Sequence, residues 1–171
     1  MKYLNIVALT LLCVALSGSA IANQATVSVN VSCTILPLFE MQVSGPNGGN
    51  IEFGAIQKEA GQTVDKTAPE VIISAKSNLG RPYLIKHALI APLANTTGEA
   101  IPDGAMSVDA TNAGGGSSAK SQTVGTTSQT LYQSDAAGQS DTITARYNLK
   151  VQPQQDAGHY ESKLLYTIVT V

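Results

Sequence analysis

Three side chains of this chain could take part in nucleophilic or metal chemistry, and their spacing favours neither. Cys33 is followed by His87 and His159, which lie far apart and in no metal-ligating spacing such as H-x-x-x-H. A cysteine paired with a histidine could act as nucleophile and base, but no motif brings Cys33 near either histidine. We interpret both histidines as ordinary surface or edge residues and Cys33 as a small buried hydrophobe.

The acidic and serine-containing stretches give no catalytic or metal site either. Asp135 and Asp141 flank Gly138, but the alternating acidic positions and final glutamate of an EF-hand loop are missing. No G-x-S-x-G pattern occurs. The sequence therefore predicts no catalytic residue, no metal ligand and no cofactor, and the protein is not expected to be an enzyme.

Residues 1–22 have the layout of a secretory signal peptide. An apolar run from Leu4 to Leu16 is followed by Ala20-Ile21-Ala22, which matches an A-x-A cleavage site. A membrane anchor is the rival interpretation, but the run is shorter than the ~20 apolar residues of a spanning helix. We expect export and cleavage, which leave Cys33 as the one cysteine and therefore no intramolecular disulfide.

The charge pattern narrows the possible partners. Charged residues make up 13% of the chain, the formal net charge is −2, and lysines and arginines form no run. Because nucleic-acid binding depends on clustered basic residues, no nucleic-acid partner is expected. No second long apolar segment occurs, so no transmembrane span is predicted.

The stretch QATVSVNVSCTILPL, directly after the cleavage site, alternates apolar and polar residues. This period of two predicts a β-strand over residues 24–35 with one buried face. The apolar phase consists of Ala25, Val27, Val29, Val31 and Cys33. The strand could complete its own domain or be donated to another molecule, and the sequence leaves both possibilities open.

The rest of the chain consists of short β-branched runs separated by turn residues. The predicted strands are 41–43, 51–53, 71–77, 83–90, 105–108, 130–132, 142–151 and 160–171. The final strand is apolar on both phases, which favours a central position covered on both sides. The Gly/Ser-rich stretch from Thr111 to Ser121 predicts a mobile loop. Together these patterns predict an all-β fold: one immunoglobulin-like β-sandwich domain over residues 23–171 with about seven to nine strands.

Two motifs resemble those of bacterial surface β-sandwiches. They are SNLGRPYLI (Ser77 to Ile85) and the C-terminal hairpin from Tyr147 to Val171, whose turn reads P-x-x-x-A-G-x-Y. They resemble chaperone–usher pilin subunits of the colonization-factor (alpha) type and spore coat U proteins. The IEFG stretch from Ile51 to Gly54 resembles a strand end of spore coat U and WxL-type domains. The resemblance implies that an N-terminal strand from one subunit completes the next. It also implies a periplasmic chaperone and an outer-membrane usher as partners.

The chain departs from common chaperone–usher pilins in three respects. It cannot form an intramolecular disulfide, and it ends in Thr170-Val171 rather than with a penultimate aromatic residue. Only about two residues separate the cleavage site from the first apolar position, so the strand could instead be the first strand of a complete domain. We expect an exported bacterial structural or adhesive surface subunit that forms pili by strand addition to identical or related subunits. Its expected location is the periplasm and then the cell surface or fimbrium. The alternative is a monomeric secreted module that binds carbohydrate or cell wall.

Overall fold

The computed structural model describes residues 27–171, and this part of the chain is all-β, with ten strands in two antiparallel sheets. Residues 36–171 form one compact unit, and residues 27–35 belong to a separate N-terminal unit. The strands are β1 (Phe39–Ser44), β2 (Val64–Thr67), β3 (Val71–Ser77), β4 (Tyr83–Leu89), β5 (Met106–Asn112), β6 (Ser117–Ser118), β7 (Gln122–Thr123), β8 (Gln129–Gln133), β9 (Asp141–Val151) and β10 (Leu164–Thr170).

The two sheets pack face to face as a β-sandwich. The first sheet has the order β1-β3-β9-β5-β7, with β2 also paired to β9, and the second has the order β10-β4-β8-β6. In the second sheet, Leu164 of β10 pairs with Leu89 of β4, and Thr170 pairs with Tyr83. The prediction of an all-β sandwich is confirmed, whereas its immunoglobulin-like form stays a prediction.

Strand β9 forms the centre of the core. Its residues alternate between the interior and solvent over the whole strand, so every second side chain is buried. The buried positions are Asp141, Ile143, Ala145, Tyr147, Leu149 and Val151. The inward side chains of β3, β4 and β5 are also buried, and the apolar ones form one cluster with the apolar inward side chains of β9.

The Gly/Ser-rich stretch closes one lateral side of the sandwich rather than forming a mobile loop. It carries the chain from the first sheet to the second, with Ala110 N–H donating to the Ala119 carbonyl and Ala119 N–H donating to the Leu131 carbonyl. The Asp141 carboxylate accepts hydrogen bonds from Gly114 N–H at 2.7 Å and from the Tyr132 hydroxyl at 2.7 Å. These hydrogen bonds lower the pKa of Asp141 even though its burial acts to raise it.

Other strand predictions need correction. Residues 51–53 form no strand, although Ile51 and Phe53 pack against the core. Strand β2 was not predicted, and β5 extends to Asn112. The final strand β10 is not central, because it pairs with β4 alone and therefore lies at the edge of its sheet. Its two apolar phases had indicated coverage on both sides, but apolar phases do not identify the covering segment.

A glycine substitution tests whether the crossing is packed. A Cβ at Gly116 would lie 2.2 Å from the Tyr132 hydroxyl, whereas a Cβ at Gly115 would lie 3.7 Å from the nearest Asp135 atom. We expect Gly116→Ala to lower the free energy of unfolding by about 1–3 kcal/mol, because it overpacks a buried contact. Gly115→Ala is the matched control and should leave stability nearly unchanged. Urea denaturation measures both, and equal effects would contradict a packed crossing.

Candidate strand-binding site

The lateral side opposite the crossing is open. The strands β1 and β10 are the edges of their respective sheets, and each has one hydrogen-bonded neighbour. They lie on the same side of the sandwich because the crossing from β5 to β6 occupies the other side. The Phe39 ring of β1 meets the Tyr83 ring of β4 edge-on across the two sheets, at 5.8 Å between centroids. We call the region between β1 and β10 the open side.

The open side exposes part of the core. The inward side chains of β1 and β10 pack against the buried cluster, yet all of them are only half-buried. They are Phe39, Met41, Val43, Leu164, Tyr166 and Ile168. The inward side chains of the neighbouring β3 and β4 are, in contrast, buried. The apolar interior is therefore continuous up to an edge at which further apolar area remains to be buried.

Besides the half-exposed core, the backbone of β10 also suits strand binding. An edge strand presents alternate N–H and C=O groups that have no ladder partner. Natural edges are usually protected by a charged residue, a proline or a bulge, but Leu164–Thr170 contains neither a charge nor a proline and pairs with β4 in unbroken register. Its outward side chain Leu165 is 54% exposed. The edge is thus long, regular and apolar, which suits the addition of a strand.

A buried polar chain connects the core to the open side. Gln122 Nε2 donates to the Thr130 carbonyl, so its Oε1 faces His87 and accepts from Nε2–H at 3.0 Å. His87 Nδ1 therefore accepts from the Tyr147 hydroxyl at 3.2 Å. Tyr166 then donates to the oxygen of Tyr147 at 2.8 Å. Each hydrogen bond in this series therefore has a defined donor and acceptor, and the series ends at Tyr166 of β10.

His87 is buried, so its interpretation as a surface or edge residue was wrong. Its position in phase with Tyr83, Ile85 and Leu89 was the sequence signal for burial. Desolvation lowers the pKa of His87, although the hydrogen bond to Gln122 acts in the opposite direction. Burial also raises the pKa of Tyr166 to about 12, so this hydroxyl keeps its proton at neutral pH.

The described strand-donation residues form no strand, contrary to the strand predicted over residues 24–35. Ala25 lies outside the described residues, as does the predicted signal peptide of residues 1–22. Residues 27–38 have no regular secondary structure, and the side chains of Val27, Val29 and Val31 are 87%, 79% and 94% exposed. Cys33 is also exposed and, within the described part, is a free thiol, so its interpretation as a buried hydrophobe does not hold for the single chain. Whether the segment is donated stays a prediction.

The remaining candidates do not converge. His159 and Glu161 are surface residues 3.7 Å apart. Across residues 27–171, no three His, Cys, Asp or Glu side chains are placed to hold a metal ion. Over the same residues, no helix is long and apolar enough to span a membrane. A surface depression of about 400 Å³ lies between Lys76, Gly114 and Asp141. The carboxylate of Asp141 already accepts a hydrogen bond from Gly114 N–H in the crossing.

The buried histidine makes stability depend on pH. Since the folded pKa is below the unfolded value of 6.5, the unfolded chain binds the proton more readily. The stability that neutral His87 provides is complete above that value and declines as the pH falls towards the folded pKa, with a slope of up to about 1.4 kcal/mol per pH unit. We expect His87→Gln to remove this slope from urea unfolding measured between about pH 8 and 5.5. The control His159→Gln should keep it, and a slope unchanged in His87→Gln would contradict the assignment.

Comparisons with known proteins assign no family to this geometry. No protein-family model matches the chain, and no curated protein matches it. Two features of the described residues bear on function: an open side whose apolar edge strand has one hydrogen-bonded neighbour, and an exposed N-terminal segment with alternating valines.

Proposed function

We propose that the protein is an exported bacterial surface subunit that assembles by strand addition. The N-terminal segment of one copy pairs with β10 in the open side of the next copy. One observation carries this proposal: β10 is an unprotected edge strand beside a half-exposed core. A partner strand would supply both the missing backbone hydrogen bonds and the missing apolar cover.

The N-terminal segment has the side-chain pattern that the open side requires. Val27, Val29 and Val31 occupy one phase, and the residues between them are polar. Beside β10, this phase would face the half-buried side chains of β1 and β10, and the polar phase would face solvent. Burying a valine contributes roughly 1.5–3 kcal/mol relative to leaving it exposed. Burial of these exposed valines would therefore provide much of the binding free energy.

Strand addition of this kind produces filaments. Each subunit carries one N-terminal segment and one open side, so the contact is heterologous: different surfaces of the two copies meet. A heterologous contact that does not close into a ring continues as an open fibre. The resemblance to chaperone–usher pilins adds three proposals: a periplasmic chaperone that covers the open side before assembly, an outer-membrane usher, and a final location at the cell surface.

The alternative, a monomeric module that binds carbohydrate or cell wall, has less support. Sugar platforms use exposed aromatic faces. Every tyrosine and phenylalanine among residues 27–171 is buried or half-buried. The site geometry therefore favours assembly over sugar binding.

Charge placed on the apolar phase should abolish assembly. We expect Val29→Asp/Val31→Asp in the chain beginning at Asn23 to remain folded, because both side chains are exposed in the single subunit. It should no longer polymerise, because two carboxylates would be buried without partners. Sedimentation velocity measures the polymer distribution, and tyrosine circular dichroism measures the fold.

The matched control adds the same charge to the other phase. Asn30→Asp/Ser32→Asp should polymerise like the unmodified chain, because these positions face solvent in the added strand. The apolar-phase variant keeps its own open side, so it should also cap and shorten polymers of the unmodified chain when mixed with it. Equal polymerisation of both variants would overturn strand addition by this segment.

A further inference from the structure

The SNLGRPYLI motif places Asn78 against the chain that leads into β1. Asn78 Nδ2 donates to the Leu36 carbonyl at 2.9 Å, and its Oδ1 accepts from Leu38 N–H at 2.6 Å. Its own N–H donates to the Leu38 carbonyl at 3.1 Å, which continues the β1–β3 ladder by one pair beyond Phe39. One residue thus holds Leu36 and Leu38 through the backbone. We call this set of hydrogen bonds the Asn78 clamp.

Apolar burial does not explain why this stretch is held. Leu36 is 76% exposed and Leu38 is 41% exposed. Pro37 fixes its own φ and restricts Leu36 to extended conformations. Residues 36–38 are therefore kept extended by polar contacts and by proline geometry, while their side chains remain in solvent.

The turn that presents Asn78 is itself anchored. Ser77 N–H donates to Ser140 Oγ at 2.9 Å, and Val171 N–H donates to the Pro82 carbonyl at 3.0 Å. Gly80 has a φ of +67°, a conformation that other residues rarely adopt. The clamp is thus attached to the rigid end of the sandwich, where β1 begins and β10 ends.

We propose that Asn78 is a positioning residue that keeps Cys33 and Ile35 of the N-terminal segment out of the open side of their own domain and so favours insertion of the segment into another copy. This inference rests on the proposed strand addition and names what controls it. Three extended residues carry the chain about 10 Å beyond the start of β1 before it is free. A strand beside β10 lies in the other sheet, about 10 Å away across the sandwich.

Self-insertion therefore requires the chain to reverse along the diagonal of these two distances, which is about 14 Å, at up to 3.6 Å per residue. About four residues would be used for this reversal, so Cys33 and Ile35 could not enter the open side of their own domain. Insertion into another copy needs no reversal and leaves the whole alternation available. Losing the two hydrogen bonds of the Asn78 side chain, to the Leu36 carbonyl and the Leu38 N–H, loosens residues 36–38 and weakens this constraint.

The native thiol of Cys33 provides the readout. In dilute monomer of the chain beginning at Asn23, we expect Cys33 to react freely with a thiol reagent, since it is exposed. In Asn78→Ala, we expect the released segment to enter its own open side. Cys33 should then react at least about tenfold more slowly than in the unmodified chain, because a protected thiol reacts only when the strand opens. The same variant should polymerise less at a given concentration.

Three variants separate the clamp from general damage. Asn78→Asp keeps the acceptor for Leu38 N–H and loses the donor to Leu36, so it should give an intermediate reaction rate. Thr67→Ala removes an exposed side-chain hydrogen bond to Asn148, away from residues 36–38 and from their anchoring turn, and should behave like the unmodified chain. Adding Val29→Asp to Asn78→Ala should restore rapid reaction, because a charged side chain prevents self-insertion.

The outcomes distinguish the two proposals. If Asn78→Ala is folded but matches the unmodified chain in Cys33 reactivity and in polymerisation, the positioning role is wrong and strand addition stands. If the apolar-phase charge variants polymerise normally, strand addition fails and the role of Asn78 fails with it. Slower reaction of Cys33 that Val29→Asp does not reverse would also overturn the positioning role.

Discussion

The structure depends on a difference between the two lateral sides of the sandwich. Two sheets packed face to face leave their core accessible at both sides unless some segment covers it. On one side the chain supplies this cover itself, through the crossing that Asp141 and Tyr132 hold in place. On the other side, β1 and β10 end the sheets without a covering strand among residues 36–171. The half-buried core residues and the free backbone of β10 both follow from that difference.

Much of the fold could be predicted because alternation is a local signal. Ile143, Tyr147 and Leu149 share one phase in sequence and one face in the structure. The edge position of β10 was harder to predict from the sequence. Two apolar phases indicate that both faces require cover, but they do not indicate whether the covering chain belongs to the same molecule. The predicted central position of β10 was wrong because the sequence does not show which molecule covers this strand. The proposed function assigns that cover to another copy.

Other features were missed because they depend on contacts distant in sequence. A run of glycines is compatible with a mobile loop and with close packing, and only the positions of Tyr132 and Asp141 distinguish the two for Gly116 and Gly114. Asn78 was visible within a motif, but nothing in the sequence showed that its amide meets the backbone some 40 residues earlier. The burial of His87, in contrast, could have been predicted from the sequence, since His87 lies in the buried phase of β4.

Cys33 connects the fold to the proposed assembly. Cys33 is an exposed thiol. In the oxidising compartment that the proposed export implies, such a thiol is prone to intermolecular disulfide formation, which would join subunits in arbitrary geometry. Cys33 shares its phase with the valines, so a donated strand would bury the thiol together with them. In the proposed assembly, the Asn78 clamp makes the chain's own open side a poor destination for Cys33, and a neighbouring copy is the place where both the thiol and the valines leave water. Directional assembly and protection of the cysteine would thus follow from the same strand.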